Sequence, residues 1–334
     1  MITEENNTVD TAAAKKVFSR IGYALLIFLA ASYAVSYLLE RVVLKIGFAE
    51  ENAAVLSIII SAISLYCVGV PVFYFFVRGI KPYKPAPGKA RFSTMFVLFA
   101  IATCFMYAGS MIGLSVSDFL GEKLGIYLTE STLETVMQIP WYAALIFTVL
   151  LAPVFEELVF RKLIIDRVSV YGEKLAILFS AILFAFFHSS VQQFFYALFA
   201  GLVFGYLYVR TRRLIYPYIL HALLNFFGSV VPLILMQCAG YDEILSAQTA
   251  EEMIKMATEN PIGYAAVMLQ GFSTLAFVFA GFVLTFVYLK KLKFEKAPLE
   301  LPRDSEGTVA FTPFGVVLFI AATVAIPVIF TYAV

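Results

Sequence analysis

Nine stretches of this chain are long and apolar enough to be membrane helices, at approximately 18–39, 54–77, 94–116, 141–163, 175–190, 192–209, 214–236, 263–289 and 313–333. A hydrocarbon core about 30 Å thick takes about 20 apolar residues per helix. The pattern therefore predicts an all-α fold, a polytopic membrane helix bundle of about eight to nine transmembrane helices. Composition agrees: 61% of the 334 residues are hydrophobic, 14% are charged and the mean hydropathy is +0.88, which excludes an ordinary soluble globule. The fifth and sixth runs are short and separated only by "SSVQQ", so they are expected to form a tight helical hairpin whose members do not both cross completely.

The charges are concentrated between the apolar runs, where their order carries orientation. "RGIKPYKPAPGKAR", after the second run, has five basic residues and no acid. Residues 117–140 carry Asp118, Glu122, Glu130 and Glu134 against Lys123 alone. Continuing the alternation through Lys162, Arg167, Lys174 and "RTRR", then the acidic segment 238–262, gives an inside N-terminus and an outside C-terminus. The expected location is integral to a bacterial-type plasma membrane. A surface helix is expected around "AEEMIKMA", and "KAPLELPRDSEG" reads as a flexible inside linker. The polar leader 1–16 is acidic and the run after Lys15, Lys16 and Arg20 continues past Ala34, so the first helix reads as retained. "GSMIG" and "GLVFG" have the small-xxx-small spacing of closely packed helices. Cys67, Cys104 and Cys238 have no paired spacing, so neither a disulfide framework nor a zinc knuckle is expected, and nothing suggests a nucleic-acid surface. Three regions result: 1–140 with three spans, a four-helix core at 141–236, and 237–334 with an outside segment and two further spans.

Against this apolar background, "VFEELVFR" is costly, because each charge near the bilayer centre costs about 2.5–3.5 kcal/mol. Adjacent helical residues point about 100° apart, so Glu156 and Glu157 have different roles. Glu157 precedes Arg161 by four residues, the favourable order for an ion pair. Glu156 has no local partner, and Pro153 crowds the carbonyl of Val149 beside it, predicting a kink. Both histidines, His188 and His221, lie in later apolar runs; Asn225 shares a face with His221, and Pro217 predicts a second kink. Polar groups on three helices avoid lipid most economically by facing one another around water. A carboxylate can then take a proton from water, and imidazole and amide N–H groups can stabilise an oxyanion. Ser189 and Ser190 adjoin His188 but do not share its face, which argues against them as nucleophiles.

"EELVFR", "FAFFH" (184–188) and "HALLN" (221–225) resemble, in order and spacing, the EExxxR, FxxxH and HxxxN motifs of the CAAX protease and bacteriocin-processing (CPBP, or Abi) family of intramembrane endopeptidases. The resemblance implies Glu156 as general base, His188 as its partner in orienting water, His221 with Asn225 as the oxyanion site, and Glu157 with Arg161 in support. It implies a peptide or lipidated protein as partner: a prenylated CAAX tail, a pheromone precursor or a bacteriocin leader. Alternatives are a non-catalytic scaffold or immunity protein, and a zinc enzyme with Glu156, His188 and His221 as ligands. Zinc is disfavoured because no carboxylate other than Glu157, assigned to Arg161, lies near to orient the histidines, and there is no HExxH. No cofactor is therefore expected. A transporter fits poorly, since the other runs hold almost no ionisable residues. One geometric difficulty stands: with these boundaries His188 lies about 20 Å from the inner end of its helix, Glu156 only about 10 Å from the inner end of its own.

Overall fold

The computed structural model describes residues 9–46, 53–127, 138–239 and 249–332. All regular structure there is helical. We number the helices α1 (Thr11–Ile46), α2 (Ala53–Val77), α3 (Phe92–Leu124), α4 (Trp141–Tyr171), α5 (Glu173–Phe187), α6 (Val191–Thr211), α7 (Ile215–Met236), α8 (Ala250–Glu259), α9 (Pro261–Leu289), α10 (Glu306–Phe311) and α11 (Phe314–Tyr332). Seven of the described helices are long and apolar enough to cross a membrane; α5 and α11 are the shorter pair among the nine apolar runs. The protein is an integral membrane helix bundle.

α5 has 15 residues, about 22 Å against a 30 Å hydrocarbon core, so its C-terminus lies within the apolar layer. The turn to α6 takes only His188, Ser189 and Ser190. Ser189 adopts a left-handed φ of 49°, and the Ser190 hydroxyl caps α6 by accepting from Gln193 N at 3.0 Å. α6 packs against both α5 and α3. The small-residue motifs make these contacts close: a Cβ on Gly113 would lie 2.5 Å from the Gln192 carbonyl oxygen in α6, and one on Gly201 would lie 3.1 Å from Ala181 in α5.

Helix four extends well past 163. Residues 162–171, read from sequence as part of an inner connection, continue it to Tyr171, and Gly172 (φ 142°) turns the chain directly into α5. Glu156 is thus 15 residues from Tyr171 and His188 15 residues from Glu173, about 20 Å in each case. The difference in depth disappears.

The charges of that stretch are buried rather than solvated. Asp166 accepts from the Tyr208 hydroxyl at 2.8 Å and pairs with Lys162 at 2.9 Å and Arg212 at 3.8 Å; Glu173 pairs with Arg210 and, at 3.5 Å, with Arg212. Three connections converge here, with Tyr83 N donating to Asp166 O, Gly88 N to Thr211 O and Leu299 N to Val170 O. The expected flexible linker is instead fixed. Ala297 and Leu301 are buried, Leu301 N donates to Tyr171 O, and α10 begins at Glu306. α8 is the expected surface helix, opened by a capping box between Thr249 and Glu252. Of the acids read as an outside signal, Glu130, Glu134, Asp242 and Glu243 lie outside the described residues.

Candidate active site

The site is built on α4, α5 and α7, and its geometry starts from two prolines. Immediately before Pro153, α4 runs in π-register over Leu145–Leu151, with Ala152 N bonding Phe147 O five residues back. In that register the donor missing at Pro153 belongs to Thr148 O, not to Val149 O as an unbroken α-helix would require. Asn225 Nδ2 supplies it, donating to Thr148 O at 2.8 Å. α7 repeats the device. Phe226–Val230 is π, Pro232 strands Phe227 O, and Gln270 Nε2 of α9 donates to it at 3.2 Å. Pro217 removes no intrahelical hydrogen bond, because it lies in the first turn of α7, where backbone N–H groups have no intrahelical acceptor.

Glu157 and Arg161 form the ion pair their spacing requires, Oε2 to Nε at 3.0 Å, and both are almost fully buried. Arg161 Nη1 donates to Ser180 Oγ at 2.8 Å, and its guanidinium lies over the rings of Phe184 and Phe204. The sequence assigned Glu157 to Arg161 alone, and here the structure corrects it. The other carboxylate oxygen, Oε1, accepts from His221 Nδ1 at 3.0 Å. A carboxylate that already accepts from arginine has no proton to give, so Nδ1 carries the hydrogen and a neutral His221 has its lone pair on Nε2. That nitrogen lies 3.7 Å from Glu156 Oε2. His221 stacks on Phe204 (centroids 4.8 Å apart, planes at 24°), which fixes the ring plane.

His188, at the end of α5, is held in the same sense, with Nδ1 donating to Phe184 O at 2.8 Å and Nε2 left as the acceptor. Both imidazoles stand edge-on to the Phe184 ring, at centroid distances of 4.8 and 6.0 Å. Glu156, with 21% of its side chain exposed, is the accessible carboxylate, while Glu157 is 1% exposed. The structure thus joins Glu156, Glu157, Arg161 and His221 in one chain of contacts, brings His188 to it through Phe184, and uses one Asn225 N–H to tie α7 to α4. Tyr66 is a participant that sequence reading missed: it lies in a π segment of α2, stacks on Phe155 at 4.2 Å and 7°, and is within electrostatic reach of Glu156. Tyr66 belongs to none of the motifs. Only its position in a π segment close to Pro71 marked it.

Each imidazole has the orienting partner whose absence argued against zinc, so that argument does not hold. Among the described residues, however, no three His, Cys, Asp or Glu side chains converge as a metal-binding group.

Comparison with known proteins gives a result for this same segment. Residues 138–227, which contain all three motifs, match the family of Rce1-like, type II CAAX prenyl endopeptidases. Over this segment the match supports the resemblance to the CPBP family. The chain is also similar to the "Putative membrane peptidase YdiL" of Bacillus subtilis (strain 168), 27% identical over 108 residues, covering 31% of this chain and 43% of that protein. The match therefore spans less than half the length of that curated relative. No solved structure matches.

Proposed function

We propose that this protein is a glutamate-dependent intramembrane endopeptidase that hydrolyses a peptide bond in a membrane-associated or prenylated protein. The observation that carries the reading is the ordered chain Arg161–Glu157–His221–Glu156. An ion pair fixes a carboxylate, the carboxylate fixes a histidine tautomer, and the histidine presents a bare nitrogen 3.7 Å from the more accessible glutamate. The match of residues 138–227 to the Rce1-like family supports this reaction class.

In this mechanism a water donates one hydrogen to Glu156 and the other to the Nε2 of His188. Glu156 removes its proton as the oxygen attacks the scissile carbonyl carbon, and the carbonyl electrons move to oxygen. The second N–H of Asn225 Nδ2, the one not spent on Thr148 O, is the donor to that oxyanion. The new proton on Glu156 faces His221 Nε2, an acceptor that holds it in place. When the C–N bond breaks, Glu156 delivers it to the leaving nitrogen, giving a carboxylic acid and an amine. This shifts His221 from the oxyanion-donor role that the resemblance implies to that of acceptor, since its one N–H is committed to Glu157. The orientation has the basic connections inside and α8 outside.

Comparison of protein termini in cells with the active protein and with Glu156→Gln tests the reading. Termini on membrane-associated proteins that appear only with the active form are expected. Identical termini in both would favour the scaffold reading. The bare Nε2 of both histidines also suits a zinc enzyme, so that reading is tested beside it. We expect purified active protein to keep its activity through prolonged chelation. Stoichiometric zinc whose removal abolishes activity and whose return restores it would replace this mechanism.

A further inference from the structure

Well away from the peptidase site, an open cavity of about 610 Å³ lies at the end of the bundle where the basic connections meet. It is bounded by the first turns of α1, the turn after α2, the end of α4 and Pro298–Leu299. Four cations line it, Lys16, Arg20, Lys81 and Arg167, over an apolar floor that includes Ile80 and Tyr171; among the described residues no acid lines it. Among the described residues none of the four cations makes an ion pair.

The two arginines are pinned without being neutralised. Arg20 Nε donates to Phe76 O at 2.6 Å, while Arg167 donates through Nε to Val77 O and through Nη1 to Leu163 O, both at 2.9 Å. Arg167 is 6% exposed, and a charge so desolvated with only carbonyl partners is stabilised further by an anion. The nearest described acids make their ion pairs and hydrogen bonds elsewhere, although Asp166 is also within electrostatic reach of Arg167. Asp166 serves Lys162, Arg212 and Tyr208, and Asp10 accepts from Ala12 N and Ala13 N at the start of α1.

We propose that this cavity binds the phosphodiester headgroup of an anionic phospholipid. Its volume lies within the range of about 300–1,000 Å³ typical of ligand sites. It opens at the ends of three membrane-spanning helices, the level at which headgroups lie, and basic pockets between such helices are suited to lipid phosphates. The apolar floor distinguishes a lipid from free phosphate, which has nothing to bury there. The inference does not depend on the peptidase reading.

The test is native mass spectrometry of the full-length protein in non-ionic detergent, titrated separately with phosphatidylglycerol, phosphatidylcholine and inorganic phosphate. Phosphatidylglycerol should be retained at least ~25-fold more tightly than either of the others, the discrimination that corresponds to two cations at about 1 kcal/mol each. Lys16 and Lys81 make no hydrogen bond or ion pair among the described residues, so Lys16→Gln with Lys81→Gln should leave the melting temperature unchanged. Each should weaken phosphatidylglycerol binding by roughly 5-fold, the change that corresponds to about 1 kcal/mol per cation. Lys81→Gln alone provides the single-step change if the double variant does not fold. Equal retention of phosphatidylcholine, unchanged phosphatidylglycerol affinity in the lysine variants, or displacement of the lipid by an equal concentration of phosphate would each overturn the proposal.

Discussion

At the residue scale, the two adjacent glutamates are separated by what each touches. Glu157 satisfies Arg161 and His221 together, so Glu157→Ala leaves a buried guanidinium unpaired and releases the histidine tautomer. We expect a loss of ~3–5 kcal/mol in stability along with activity, measured by thermal or denaturant unfolding in detergent beside a cleavage assay. Glu156→Gln keeps the shape, and the one close charged contact of Glu156 among the described residues is His221 Nε2, so the variant should remain folded with an unchanged melting temperature. Asn225 falls between the two. Its truncation removes an oxyanion donor and strands the Thr148 carbonyl at once, so kcat should fall about 10²–10³-fold with little change in KM, and stability should fall by ~1 kcal/mol. A rate loss without any stability loss would disconnect Asn225 from the backbone repair seen here.

At the element scale, the proline and π-segment pairs on α4 and α7 open backbone carbonyls that a polar side chain from another helix then fills. Gln270 fills the copy at Phe227 O without belonging to the catalytic set. Gln270→Ala should therefore cost ~0.6 kcal/mol, a typical interhelical hydrogen bond in a membrane protein, and leave kcat unchanged, whereas Asn225→Ala lowers both. Paired unfolding and kinetic measurements on the two variants check this. These elements also show what sequence can and cannot tell. The Glu157–Arg161 pair was legible because four residues on one helix fix it locally. The partner of His221 was not, since which carboxylate meets an imidazole 64 residues later depends on the register of two packed helices. Thr148 O was hidden for a related reason, because the carbonyl that Pro153 frees is different in α- and π-registers. The end of α4 at Tyr171 was concealed by its own charges: Asp166 and Arg167 read as a solvated connection until Tyr208, Arg212 and backbone carbonyls are seen to satisfy them.

At the scale of the whole molecule, nine apolar runs were enough for the helical membrane fold, and the convergence of the basic connections at one end agrees with the alternation of charge between them. In a cysteine-free background, Lys84→Cys and Arg213→Cys should be labelled only from inside and Glu251→Cys only from outside. Arg213 is the better probe in its loop because the neighbouring Arg212 is buried in the ion-pair network. Labelling of residues 84 and 251 from the same side would overturn the arrangement. If Glu156 performs the proton transfers of peptide hydrolysis, wild-type protein and Glu156→Gln reconstituted side by side in identical vesicles should differ in the cleavage step itself. Single-turnover cleavage of a substrate recovered from the termini comparison is then measured. The rate should fall by about 10²–10⁴-fold, the usual contribution of a general acid–base group, in a variant that melts with the wild type. Cleavage within twofold of wild type by a folded Glu156→Gln protein would contradict it.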